Sequence, residues 1–431
     1  MKRLLYNKLC EWKGKEHRKP LILNGARQVG KTWLLKTFGE NEYVKMAYIS
    51  CERVKNLDAL FSDFDTNRIV RALSAMCKVD ITPNDTLIII DEAQEYPRAL
   101  TALKYFCEDA PEYHVAVAGS LLGLTLHRGV SFPVGKVDIL QLYPMTFLEF
   151  VTAVHGEQMA EVLQSKDWSM INALHSQFVE LLRQYYYVGG MPGAVSAYIG
   201  GAGPVAVREI HQQILQGYTD DFSKHAENRE VPRIKLIWDG IPRCLAKENK
   251  KFKYSNIKPG GRASQFEVAL QWLIDTGLVY RVNRITSPVM PLRFYEETNI
   301  YKLFILDVGL LGATMQVTAE SVLIGDNIFS EYKGAFTELF VYTQLVPLGM
   351  PICYYSSNDS KIEVDFVVQD GGKIIPVEVK AEENVRSKSL RTFVEKYPNL
   401  KGLRFSMKPY VDQGWMENVP LYAVEGYGKF A

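Results

Sequence analysis

Gly25-Ala26-Arg27-Gln28-Val29-Gly30-Lys31-Thr32 is the stretch on which the reading of this chain turns. It fits the pattern G-x-x-x-x-G-K-[ST]. Glycines let the backbone wrap closely, so that successive N–H groups face phosphate oxygens. A helix starting at Lys31 adds the positive end of its backbone dipole. Lys31 is placed to neutralise β- and γ-phosphates, and the Thr32 hydroxyl to ligate Mg²⁺. The apolar Leu21-Ile22-Leu23 in front reads as a strand, and a helical pattern follows. The expectation is an ATP site with Mg²⁺, its cradle formed by Gly25, Ala26, Arg27, Gln28, Val29, Gly30, Lys31 and Thr32.

A second signal lies downstream. Leu87-Ile88-Ile89-Ile90 is a continuous apolar run, as in a strand buried on both faces, and Asp91-Glu92 follows it. Ligands of open α/β sheets bind at the C-terminal ends of strands. Asp91 is thus positioned to hold Mg²⁺ through water. Glu92 is placed to orient the attacking water, or else is a surface acid at a strand end. Val115-Ala116-Val117-Ala118-Gly119-Ser120 ends a further strand. Ser120 reads either as a γ-phosphate sensor or as the N-cap of a helix starting at Leu121.

With strands also at 44–50 and 137–142, residues 20–142 alternate strand and helix. That pattern implies a parallel sheet flanked by helices, an α/β P-loop NTPase fold. The whole chain has 431 residues, enough for two to four domains. We expect an ATPase domain at 1–150, a helical region at 151–228 and a winged-helix-like domain at 229–295. An α+β domain at 296–431 completes the chain. The helical region holds Tyr185-Tyr186-Tyr187 and a turn at Gly189-Gly190-Met191-Pro192-Gly193. The winged-helix profile rests on a helix near 264–276 followed by Gly277-Leu278-Val279-Tyr280-Arg281-Val282; a small packing subdomain without DNA contact fits it too.

Fifty Lys and Arg against 49 Asp and Glu leave a net charge of +1, so any DNA-binding face must be local. Six scattered cysteines show no metal or redox spacing and read as reduced thiols. No run of about 18 apolar residues suggests a membrane span, and no secretory signal is legible. The expected location is the cytoplasm.

In the tail, Ile362-Glu363-Val364-Asp365-Phe366 and Val377-Glu378-Val379-Lys380 flank Asp370-Gly371-Gly372 and read as a hairpin. A two-residue loop, Gly371-Gly372, puts Asp365 opposite Glu378, with Lys380 on the same face. A three-residue loop would split these groups between faces unless a bulge restores them. The plain alternative is a solvated strand with ordinary ion pairs. An Asp, a Glu and a Lys brought together match the PD-(D/E)XK nuclease pattern. The carboxylates would hold Mg²⁺, and Lys380 would activate water and steady phosphate charge. Glu338, on a helix expected at 331–346, is a further catalytic candidate.

The chain resembles prokaryotic AAA-type ATPases whose C-terminal half is a domain of unknown function with a nuclease-like fold. The resemblance is carried by residues 25–32, Ile-Asp-Glu-Ala-Gln at 90–94, Ala-Gly-Ser at 118–120, Leu-Tyr-Pro-Met-Thr-Phe-Leu-Glu-Phe at 142–150 and Tyr-Val-Gly-Gly-Met-Pro at 187–192. It implies an ATPase followed by a restriction-endonuclease-like domain. Relatives place Gly-Arg before the last core strand, as a trans-acting arginine finger. This chain has Gly135-Lys136, and lysine lacks arginine's planar fork; Arg128 is a substitute. Two functional readings follow. In one, an ATPase controls a nuclease-like module acting on DNA. In the other, an ATP-dependent switch recruits a protein or DNA without cleavage. A helicase ranks last, because no second set of motor motifs is present.

Overall fold

The computed structural model describes the chain except residues 55–56, 121–132, 247–249, 323–326, 360, 382–386 and 428–431, with the backbone alone at 327–332. Two compact units emerge. One holds Met1–Tyr143 with Asp275–Gly277; the other holds Pro144–Ile274 with Leu278–Ala431.

In the first unit, β1 (Leu21–Asn24), β2 (Lys45–Ser50), β3 (Thr86–Asp91), β4 (His114–Ala118) and β5 (Asp138–Gln141) form a parallel sheet. Its order is β2-β3-β4-β1-β5, so β4 lies between the strand of the phosphate loop and the strand of Asp91. All six residues of β3 are buried, because the sheet carries helices on both faces. On one face, Ile88 and Ile90 meet Ile69, Leu73, Leu100 and Phe106, from helices Thr66–Cys77 and Pro97–Asp109. The helix Lys31–Glu42 packs on β2 and β3. Asp65 starts the helix Thr66–Cys77 by accepting a hydrogen bond from the Arg68 N–H.

The second unit begins with helices, including Phe147–His155, His175–Val188 and Pro192–Ile199. The three consecutive tyrosines are core residues: Tyr185 is buried and donates to the Met145 carbonyl at 2.6 Å. The turn after them is held by Asp307, whose carboxylate accepts the Gly190 N–H at 2.6 Å and the Leu310 N–H at 2.9 Å. Gly190 lies so close to Met145 that a Cβ would stand 2.0 Å from its carbonyl oxygen.

The remaining strands are β6 (Val279–Ile285), β7 (Glu296–Ile305), β8 (Ile352–Ser356), β9 (Glu363–Asp370), β10 (Lys373–Val379), β11 (Gly402–Ser406), β12 (Val411–Asp412) and β13 (Met416–Pro420). They form one mixed sheet, ordered β12-β13-β11-β10-β9-β8-β6-β7. Tyr342, from the helix Asn327–Leu345, meets Phe304 and Phe366 on one face. Leu390 and Phe393, from the helix Lys388–Lys396, join Val364, Val367 and Tyr355 on the other.

The helix-then-strand profile expected near 264–282 is present as helix Ala263–Asp275 and the β6–β7 hairpin. The far edge of β6 pairs with β8 through Arg284↔Tyr354 and Ile285↔Tyr355. The boundary expected at residue 295 therefore falls between two strands of one sheet. The physical reason is a parallel pairing some 70 residues apart, which no local pattern encodes. All six cysteines are free thiols. Among the described residues, no helix is long and apolar enough to cross a membrane.

Gly190→Ala should lower the stability of the chain by about 2–4 kcal/mol, because the added methyl meets backbone rather than a yielding side chain. Gly193→Ala, where a Cβ would meet only the Ile210 side chain at 3.7 Å, should leave the unfolding midpoint nearly unchanged. Thermal unfolding of the two variants makes the comparison.

Candidate functional site

The phosphate loop leaves β1 at Gly25, which has φ 154°. A Cβ there would lie 2.3 Å from the Leu142 carbonyl oxygen, so only glycine fits. Gln28 and Gly30 take φ 66° and 96°, turning the chain into the helix Lys31–Glu42. Ala26 and Val29 are buried, whereas Arg27 and Gln28 are exposed. The loop is braced from outside: the Arg3 guanidinium donates to the Val29 carbonyl at 2.8 Å and the Tyr143 carbonyl at 2.6 Å.

Lys31 is 7% exposed, and its ammonium folds back onto the Gly25 and Ala26 carbonyls at 2.8 and 2.7 Å. Burial lowers its pKa to about 8, against the pull of Glu92 and Asp91. The Thr32 hydroxyl donates to Asp91 Oδ2 at 2.8 Å, and the Tyr48 hydroxyl donates to the same oxygen at 2.9 Å. A hydroxyl and a carboxylate in direct contact beside the loop are hard oxygen donors suited to Mg²⁺, so these residues fit that ion. Burial, then Asp91, pushes the Tyr48 phenol up to about 12, which keeps it a donor.

Glu92 follows with φ 52° and ψ 44°, a left-handed backbone uncommon for a glutamate. This turn aims its Oε2 at Gln94 Nε2 (2.7 Å) and Ser120 Oγ (3.3 Å). Lys31, Thr32, Asp91, Glu92 and Ser120 thus converge, with Ser120 at the end of the strand between β1 and β3. The helix expected from Leu121, and Arg128, lie outside the described residues. Lys136 pairs with Glu108 at 2.9 Å. Sequence reasoning missed Tyr48, Gln94 and Arg3. Tyr48 reaches Asp91 only through the pairing of β2 with β3, and Arg3 only through contacts far along the chain.

In the second unit, β9 and β10 pair from Asp370↔Lys373 to Phe366↔Val377, so the loop is the two residues Gly371-Gly372. One step further sets Asp365 against Glu378. There the chain departs from a regular ladder: Asp365 Oδ2 accepts the Val379 N–H at 2.8 Å. Lys380 donates to Glu378 Oε1 at 2.5 Å. Glu378 Oε2 is buried and, among the described residues, has no hydrogen-bond partner. Glu338 comes from the helix Asn327–Leu345. It is held by the ammonium of Lys250 and, at 3.5 Å, that of Lys302, which also reaches Glu363 at 3.0 Å.

Charges in this cluster move one another. Burial, then Glu338 and Glu378, raises Asp365 well above the ordinary carboxylate range. Burial also raises Glu378, although Lys380 opposes it. At Glu338 burial acts upward too, but Lys250 and Lys302 outweigh it and hold the carboxyl low. Two of the three acids therefore lack sufficient positive charge, and the third has it. The orphaned Glu378 oxygen beside Asp365 fits a divalent cation. Among the described residues, however, no group of three or more His, Cys, Asp or Glu is set as a metal site.

The loop, the parallel sheet and the strand-end acid define a P-loop fold in the first unit. Residues 17–151 match the family described as an AAA domain, which supports an AAA-type ATPase. Residues 179–321 and 333–424 match two domains of unknown function, DUF8612 and DUF4143. No curated protein matches the chain. Among solved structures, the Walker-type ATPase paby2304 of Pyrococcus abyssi is 16% identical with a TM-score of 0.44, covering 72% of this chain and 94% of that one. The Aeropyrum pernix ORC2 protein in ADPNP–ADP complexes is 14% identical with a TM-score of 0.38, covering 75% and 92%. The ORC1 protein of the same organism in complex with DNA is 14% identical with a TM-score of 0.28, covering 73% and 90%.

Lys31 loses its proton above about pH 8 in the free protein, and a bound triphosphate should restore it. ATP binding at pH 8.5 should therefore take up protons, and at pH 6.5 this lysine should contribute almost none. Calorimetry in buffers of different ionisation enthalpy reads the uptake, which Lys31→Met should remove.

Proposed function

We propose that the chain is a Mg²⁺-dependent ATPase whose nucleotide state controls a C-terminal nuclease-like module acting on DNA. The Thr32–Asp91 contact beneath a glycine loop carries the ATPase part of this reading. Lys31 exchanges its carbonyl partners for β- and γ-phosphate oxygens, the loop N–H groups cradle the chain of phosphates, and Glu92 orients water. Mg²⁺, when bound at Thr32 and Asp91, neutralises phosphate charge. Ser120, within reach of Glu92, is suited to report the γ-phosphate.

The nuclease part is supported by the buried Glu378 oxygen, unpartnered among the described residues, by the raised Asp365 and by Lys380 against Glu378. Asp365 and Glu378 would hold a divalent cation, which when bound polarises the phosphodiester. Lys380 would then position water. A second reading, a switch whose tail binds without cutting, is favoured by the lysines that saturate Glu338.

Lys31→Ala should reduce ATP turnover by at least about 100-fold, and Glu92→Gln should retain binding while losing turnover. Undiminished turnover in Lys31→Ala would refute the ATPase assignment. DNA incubated with Mg²⁺ or Mn²⁺ should be cut by the parent chain and left intact by Asp365→Ala. Absence of cutting by the parent, with ATP-dependent retention of DNA or a protein, selects the second reading.

A further inference from the structure

Beside the tail cluster lies a cavity of about 500 Å³ that neither reading uses. Its floor is Arg404 on β11 and Asn418 on β13, which are register partners. Arg404 is buried; its Nε donates to Asn418 Oδ1 at 2.8 Å and its Nη1 to Ser387 Oγ at 3.3 Å. Lys388 and Arg391 line it from the helix Lys388–Lys396, Lys408 from the loop after β11, and Trp415 from the turn before β13.

Among the described residues, no carboxylate lines this cavity. Among the described residues, three acids of the neighbouring surface are already paired. Glu395 pairs with Arg391 on the exposed helix surface, and Asp412 and Glu417 both bind Lys401. In a chain whose net charge is only +1, four cations around one hollow, with Glu395 against one of them, are a local concentration of positive charge. Guanidinium and ammonium groups set around a concavity suit a phosphate, and an indole suits the face of a base. The base must be unstacked, as in a single strand, since in a duplex the neighbouring bases cover both its faces.

The position adds to the argument. Arg404 is the register partner of Glu378 across the parallel β10–β11 pair, so the two side chains share a face of the sheet. A strand seated in the cavity therefore runs beside the carboxylates assigned above to phosphodiester chemistry.

We propose that this cavity binds single-stranded nucleic acid, with a backbone phosphate against Arg404, Lys388, Arg391 and Lys408 and an adjoining base on Trp415. The inference extends the nucleic-acid part of the function proposed above, but it stands or falls on binding rather than on cleavage. Labelled oligothymidylate, titrated into the full chain in chelator and read by fluorescence anisotropy, tests it. Arg404→Gln and Trp415→Ala should each weaken binding about tenfold or more. Lys388→Glu and Lys408→Glu, at exposed positions, keep the test decisive if Arg404→Gln fails to fold. Each should weaken binding and flatten its dependence on salt. An oligouridylate arm decides between DNA and RNA, either of which satisfies the proposal.

Equal affinity in parent and variants overturns it, as does duplex binding as tight as single-strand binding or uptake of a phosphopeptide alone. Cleavage measured on the same preparations separates the two ideas. Binding that depends on these residues without any cutting leaves the cavity standing and removes the nuclease. Cutting with variant-independent binding does the reverse.

Discussion

The ammonium of Lys31 sits out of water on two carbonyls of its own loop, and the first unit is organised around that buried charge. A cation in such a place costs free energy that two carbonyl contacts offset only in part. The residual strain is useful: an anion arriving at the loop finds a cation already stripped of solvent. The same logic explains the close approach of Gly25 to Leu142, which keeps the loop wrapped, and the two hydroxyls on Asp91, which hold that carboxylate in place.

The second unit poses the opposite problem. Asp365 and Glu378 bring negative charge into a packed sheet, and the nearest lysines are unequally shared. Lys302, fully buried, is drawn to Glu338 and Glu363, and Lys250 adds itself to Glu338. Among the described residues, Glu378 receives Lys380 on one oxygen and no hydrogen bond on the other. A symmetrical network would be inert scaffolding. This one leaves Asp365 and Glu378 with less compensating positive charge than Glu338 has.

Much of the first unit was legible locally. The helix begins at Lys31, β4 spans His114–Ala118, and β3 runs into Asp91, because glycine spacing and apolar runs are written in consecutive residues. In the tail, the length of the Gly371-Gly372 loop decided how Asp365 and Glu378 meet, and that length was open until the register of β9 on β10 was seen. What stayed hidden was non-local. The β6–β8 pairing that joins residues 284–285 to 354–355 leaves no trace in either segment. Lys250 and Lys302 read as ordinary lysines until folding carries them to Glu338. Tyr48 and Arg3 likewise gain their roles only from elements far away in the chain.

Arg3 has a practical bearing on how this unit is dissected. The stretch matched to an AAA domain starts at residue 17, yet the guanidinium that ties Val29 to Tyr143 comes from residue 3. A minimal fragment cut at the start of the matched stretch would lose that tie, along with the helix Leu5–Lys13 that follows it. Its nucleotide loop would be left without its outer support. Weak uptake by so short a piece would then reflect where the gene was trimmed rather than a defect in the pocket itself.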